Sequence, residues 1–234
     1  ADLEKDFDSW SSSKILKKTG ISKRHIATDE KTSDLAVSAA EALFASDPAL
    51  CREDIDFLLL CTQSPDHFLP TTACIVQQRL GLPTSIGAFD FNLGCSGYIY
   101  GLLMAYSLVS SGQAKKILFL TSEKYSRYLH PMDRSVRTIF GDGATATLIS
   151  AEDGCALLEN FDVGTNGTGA GNLIVPAGAD AMPCTPETAL ESSDGSGNIR
   201  SLNNIFMNGP EIFTFTLDAV PVTIDRLLKK SRLS

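Results

Sequence analysis

Cys95 is the residue whose type and setting most plainly offer chemistry. It lies in AFDFNLGCSGYIYG, residues 88–101, where an apolar strand pattern runs through a turn of small residues into a long apolar helix pattern. A thiol at the first turn of such a helix faces unpaired backbone N–H groups and the positive end of the macrodipole, and both favour thiolate over thiol. Cys95 is therefore a candidate nucleophile. Gly94 and Gly97 flank it, permitting a tight bend and close approach of a substrate to the backbone. Most free cysteines are inert packing, so the context, and not the residue type alone, carries this reading.

The elements that must position Cys95 follow from periodicity. The helix of residues 98–110 carries Ile99, Leu102, Leu103, Met104, Leu108 and Val109, too apolar for one wet face, and is expected to be central and buried. Residues 56–62 (DFLLLCT), 86–92 and 116–122 (KILFLTS) read as buried strands. A helix from Lys31, capped by Thr32 or Ser33, runs to the Asp47-Pro48 stop, and another spans residues 71–80 before Gly81 and Pro83. Strands alternating with helices predict a parallel α/β sheet covered on both faces, which places ligands beyond the carboxyl ends of its strands. Cys95 falls at that edge.

Outside this frame the pattern is looser. Residues 1–10 fit a short helix and 21–28 a short strand or extended loop. A Gly-rich turn leads into an alternating strand over 139–150, and a further strand is expected over 156–163. GTNGTGAGN, residues 164–172, fails as a dinucleotide loop because Asn172 takes the place of the third glycine and no helix pattern follows; it reads as a flexible loop. Residues 177–197, rich in Pro, Gly, Ser and Asp, form a long excursion, a lid or a dimer contact. Asn208, with Pro210 just inside, starts a helix bent at Pro221.

Composition narrows the function classes. The 234 residues are 43% apolar with a net charge of −8, which reads as globular and argues against general nucleic-acid binding. No run approaches a membrane span, and cytoplasm is the expected location. Six cysteines without a C-x-x-C pair, beside three histidines, predict neither a metal site nor a disulfide framework. Two basic groups, Lys14, Lys17, Lys18, Lys23 and Arg24 around Thr19-Gly20, and Arg127, Arg134 and Arg137, leave small phosphate-bearing ligands open beside a merely solvated surface. The start at ADLEK and the close at LLKKSRLS, where a helical pattern still runs, read as a fragment.

The ordered set TGISKRHIA (19–27), DFLLLCTQSPDHFLPTTACIVQQRLG (56–81), FDFNLGCSGYIYGL (89–102), DR (133–134), FGDGATATL (140–148) and MNGPEIF (207–213) resembles ketoacyl synthase III, a thiolase-like condensing enzyme, over essentially the whole chain. The resemblance implies an α/β fold of thiolase-like layered αβαβα architecture: residues 1–165 as the N-terminal domain, 166–206 as a loop-rich excursion and 207–234 as a helix opening a C-terminal half that lies beyond the chain. It implies that Cys95 takes an acyl group from acyl-CoA and that the thioester is attacked by a carbanion from malonyl-acyl carrier protein. No resident cofactor is implied, acyl-CoA being a substrate, and the partners are the carrier protein and a second copy in a homodimer.

Carried over by position, Lys18 falls where the family has an Arg at the CoA phosphates and Arg134 where an Arg packs on adenine. Gly209 and Phe213 fall on the pantetheine tunnel wall. Leu69 takes the place of an aromatic that reaches across the dimer to floor the acyl pocket, which implies a different, longer or branched primer; Phe140 lines the active-site region. Lys14 stands where the family often has an adenine-stacking Trp, a departure that removes the expected clamp. The family's His and Asn fall past Ser234, and His25, His67 and His130 match no motif, so the chain is expected not to complete condensation. A sister thiolase-fold acyltransferase, a hydroxymethylglutaryl-CoA synthase-like enzyme and a non-catalytic dimerising paralogue stay open as alternatives.

Overall fold

The computed structural model describes residues 2–7, 10–152 and 154–233. Its helices are α1 (Asp2–Asp6), α2 (Ser12–Thr19), α3 (Thr32–Ser46), α4 (Thr72–Arg79), α5 (Gly97–Ser110), α6 (Arg134–Arg137) and α7 (Gly209–Ser231). Its longer strands are β1 (Phe57–Cys61), β2 (Gly87–Phe91), β3 (Lys116–Glu123) and β4 (Gly143–Ser150). Two compact units form: one from Ala1–His25, Tyr125–Gly141 and Asp162–Ser234, the other from Ile26–Lys124 and Asp142–Phe161.

The second unit is a four-stranded sheet in the order β2-β1-β3-β4. Both β2 and β3 run parallel to β1. The three strands expected to be parallel are so, and the strand expected over 139–150, whose direction the sequence left open, is β4, antiparallel to β3 with Glu123 opposite Gly143. The connection leaves β3 at its carboxyl end and returns at that same end, so the incoming strand must run back.

Side-chain alternation divides the core. Leu58, Leu60, Leu118 and Leu120 face Ala36, Ala40 and Phe44 of α3 and Ala73 and Val76 of α4. Leu59, Cys61, Ile117 and Phe119 point the other way, toward Ala105 of α5. That period of two, with apolar residues at both phases, is why the strands read as continuous apolar runs.

Helix α5 departs from expectation. Only Gly97, Gly101 and Ala105 are buried along it, while Tyr98, Ile99 and Tyr106 stay substantially exposed. The three small residues recur every fourth position and so form one stripe. A side chain on Gly101 would place its first carbon 2.1 Å from the Phe119 ring, so the helix touches the sheet most closely through glycine, with Leu102, Met104, Leu108 and Val109 packed half-buried at its sides. Tyr98 partly closes the contact, its ring stacked on Phe119 with centroids 5.5 Å apart.

Several local readings are corrected. Helix α3 is entered through Lys31, whose N–H donates to Asp34 at 2.7 Å, because Thr32 and Ser33 are already committed to Ser64 and Asp66. Residues 156–163 form no strand; the Phe161 ring instead packs on Tyr106, centroids 5.6 Å apart. The 164–172 loop contains an ordered 3-10 turn, Gly167–Asn172, with Asn166 accepting from the Thr168 N–H. Helix α2 was not foreseen, although Ser11 caps it and Gly20 ends it in the left-handed conformation. Residues 21–28 form a loop and no strand, and α7 closes with Arg232 left-handed at φ 56°. Among the described residues no helix is long and apolar enough to cross a membrane.

Candidate active site

Cys95 is exposed in the short turn between β2 and α5, one residue ahead of the helix N-cap Ser96. The turn is braced from β1. Thr62 N–H donates to the Phe91 carbonyl at 3.1 Å, the Cys61 thiol donates to the Leu93 carbonyl at 3.1 Å, and Gly97 N–H closes on Gly94 at 2.8 Å. Close approach requires glycine at 97, while at 94 a side chain would need only the flexible end of Gln63 to shift. A side chain on Gly97 would start 2.3 Å from Cys61 Sγ, and one on Gly94 would start 3.0 Å from Gln63 Oε1.

Exposure alone does not distinguish Cys95, since Cys51, Cys74, Cys155 and Cys184 are exposed as well. Cys95 differs in standing where two parallel strands end and a helix of 14 residues begins. Cys61 is its opposite: burial pushes that thiol up to about 11, the Leu93 contact acting against the shift and nearby Glu123 adding to it. It is a structural thiol.

Glu123, at the end of β3, is a half-buried carboxyl at this edge. It accepts from Gln63 N–H and Ser64 Oγ, each at 2.6 Å, and from Thr62 Oγ1 at 3.5 Å. Burial raises its pKa, and those hydrogen bonds offset only part of the rise. Neither Cys61 nor Glu123 was foreseen as part of the setting; a lone Cys inside FLLLC and a Glu closing KILFLTSE give no spacing signal. The loop after β1 ends in Phe68 and Leu69, 86% and 83% exposed, before a cis peptide to Pro70. Asp90 of β2 then caps α4, accepting from Thr72 N–H at 2.6 Å.

The other unit holds a cavity of about 670 Å³ whose wall includes Trp10, Lys18, Ser135, Asn198, Arg200 and Gly209. Trp10, the chain's single tryptophan, is ringed by cations: Lys18 Nζ at 4.9 Å, Lys14 Nζ at 5.1 Å and the Arg134 guanidinium at 5.6 Å from the ring centroid. An aromatic face attracts each cation, but three positive charges at one ring repel one another. A planar group carrying several negative charges satisfies both features.

The structure thus brings Lys18 and Gly209 into one cavity wall and sets Arg134 against Trp10. Phe213 is 63% exposed on α7 and is not in that wall. Phe140 lies half-buried against Tyr125, centroids 4.9 Å apart, and its carbonyl accepts from Arg24. His130 is engaged with Glu191 at 3.0 Å and with the Met132 N–H at 3.1 Å. Sequence reasoning missed Trp10; its place four residues before Lys14, ahead of a Ser cap, was the available signal.

A family model described as 3-oxoacyl-[acyl-carrier-protein] synthase III matches residues 89–167. Among curated proteins, beta-ketoacyl-[acyl-carrier-protein] synthase III of Clostridium perfringens is 38% identical over 97% of this chain and 65% of its own length. That of Caldanaerobacter subterraneus is 37% identical over 100% of this chain and 67% of its own. A crystal structure of 3-oxoacyl-(acyl-carrier-protein) synthase III superposes with a TM-score of 0.93 at 49% identity, covering 99% of this chain and 69% of that one. The synthase from Burkholderia xenovorans superposes at 0.80 with 34% identity, covering 97% and 63%. The chain therefore spans about two thirds of the length of the relatives it matches.

Proposed function

Since the chain belongs to the 3-oxoacyl-[acyl-carrier-protein] synthase III family, whose solved members share its thiolase-like α/β architecture, we propose that it is an acyltransferase of fatty-acid synthesis in which Cys95 is the acylated residue. The observation that carries this is the setting of Cys95: solvent-exposed, at the carboxyl edge of parallel strands, on a turn held by backbone contacts from β1. The Cys95 sulfur attacks the thioester carbonyl of acyl-CoA, the new C–S bond forms as the bond from that carbonyl to the CoA sulfur breaks, and the proton Cys95 gives up ends on the departing CoA thiolate. Backbone N–H groups at the opening of α5 stabilise charge that appears on the carbonyl oxygen only in the transition state. In the second half, malonyl-acyl carrier protein loses CO2, its carbanion attacks the Cys95 thioester, and the Cys95 thiolate departs to leave 3-oxoacyl-acyl carrier protein.

Acyl-CoA recognition falls to the Trp10 cavity. Adenine stacks on Trp10 with the Arg134 guanidinium packed against it, and Lys14 and Lys18 answer the phosphates, an arrangement in which Trp10 replaces the stacking residue that Lys14 displaced. Gly209 and Phe213 border the pantetheine path. Leu69, in place of an aromatic, admits a longer or branched primer, and with Phe68 it supplies the exposed apolar tip for a homodimer that also uses the edge strand β2. Feeding acetyl-CoA and branched acyl-CoAs with malonyl-acyl carrier protein tests the reading. A thioester on the protein, with or without turnover to 3-oxoacyl product, is the expected result. No protein-bound acyl group with any acyl-CoA overturns it.

A further inference from the structure

In the unit that holds Trp10, a closed circuit of hydrogen bonds runs through a residue with no assigned role. Asp133 is 1% exposed and caps α6, taking the Ser135 N–H at 3.0 Å on one oxygen and Arg200 Nε at 2.9 Å on the other. The far side of the same guanidinium grips Asp194 Oδ2, at 2.6 Å and 3.1 Å. Asp194 in turn builds the 194–198 turn, accepting from Ser196 N–H at 2.8 Å and from the Asn198 N–H and side-chain amide at 3.0 Å and 2.9 Å. The carbonyl of Ser196 then receives Arg134 Nη2. Arg134 follows Asp133 in the chain, so the circuit closes on itself.

We infer that Arg200 is a positioning residue for acyl-CoA recognition, fixing the Arg134 guanidinium beside Trp10 by tying the α6 N-cap to the 194–198 turn. This rests on the proposed role of the Trp10 cavity. Arg200 suits the task because a planar guanidinium holds two carboxylates on different edges in a fixed geometry, whereas an ammonium acts as a point charge without that fork. Burial works to raise the Asp194 carboxyl, but the Asn198 and Ser196 donors and the Arg200 charge outweigh it and hold it down at about 2, so the turn keeps its anion throughout the physiological range.

The single tryptophan makes the test direct. CoA is titrated while Trp10 fluorescence is followed, in the wild type, Arg200→Met and Asp194→Asn. Acylation of Cys95 is then timed with acetyl-CoA and with the acetyl thioester of N-acetylcysteamine, which lacks the nucleotide. Roughly tenfold weaker CoA binding is expected in Arg200→Met, and a smaller loss in Asp194→Asn. The acetyl-CoA concentration that gives half-maximal acylation rate should rise with little change in the maximal rate, and the cysteamine thioester should react as in the wild type. Arg200→Met removes the partner of a buried aspartate, so where it fails to fold, Asp194→Asn alone decides. Wild-type affinity in the folded variants, or equal losses with both thioesters, overturns the assignment. A wild-type protein whose Trp10 does not respond to CoA overturns the reading of the cavity instead.

Discussion

The turn that carries Cys95 and the cavity around Trp10 are built by opposite means. The first is one continuous stretch, residues 91–97, held by main-chain carbonyls and by glycines packed against Cys61 and Gln63. The second gathers side chains from four separate stretches and fixes them with the ion pairs of Arg200 to Asp133 and Asp194 and with the Arg134 contacts to the Ser196 carbonyl and Trp10. A site braced by backbone and close packing is sensitive to volume and tolerant of charge changes. A site braced by ion pairs is sensitive to charge, salt and pH.

The sharpest break between the two comes from single substitutions. Cys95→Ala should abolish protein-bound acyl group entirely while leaving CoA titration of Trp10 unchanged, read by intact mass and fluorescence. Trp10→Ala should do the reverse, weakening CoA binding by about 5- to 150-fold, the range expected from roughly 1–3 kcal/mol of base stacking, while Cys95 still accepts acyl groups from a nucleotide-free thioester. Gly101→Ala drives a methyl into the Phe119 ring and should cost about 1–3 kcal/mol of stability in thermal unfolding. An Arg134→Gln change, in contrast, should leave the unfolding midpoint nearly untouched.

Two carboxyls extend the contrast to pH. Asp194 is held at about 2, below its ordinary 3.8, so its stabilising contribution is complete above pH 4 and is lost as pH falls through about 2. Glu123 is shifted the other way. Its contribution is complete below 4.5 and declines as pH rises through its elevated folded value. Acid should therefore loosen the Trp10 cavity, seen as a fluorescence change absent in Asp194→Asn. Raising pH should lower the thermal midpoint by an increment that Glu123→Gln removes. These are the smallest of the expected effects.

The same division decides what could be read from sequence. Strands β1 and β3 and helix α4 were legible because apolar runs and Pro or Gly stops are local, and Cys95 was legible because strand, small turn and helix follow one another directly. Helix α5 was misjudged because periodicity counts apolar residues without saying how closely a sheet lets them approach; Gly97, Gly101 and Ala105 make its innermost stripe, and Leu102, Met104, Leu108 and Val109 pack beside it only partly buried. The antiparallel β4 escaped because direction is set by where the chain returns. Asp194 and Arg200 escaped because the 194–198 turn and the Arg200 guanidinium meet Arg134 and Asp133 across more than sixty positions, and the Trp10–Arg134 contact spans more than a hundred; such residues meet only when the chain is folded, and no spacing rule joins them.

The central claim is that one cysteine among five exposed ones is chemically distinguished by its place at the strand ends. Brief exposure to radiolabelled acetyl-CoA, followed by proteolysis and mapping of every cysteine-bearing peptide, tests it directly. The account predicts label on the peptide containing Cys95 and on no other. Label shared among Cys51, Cys74, Cys155 and Cys184, or absent from Cys95 while present elsewhere, would contradict it.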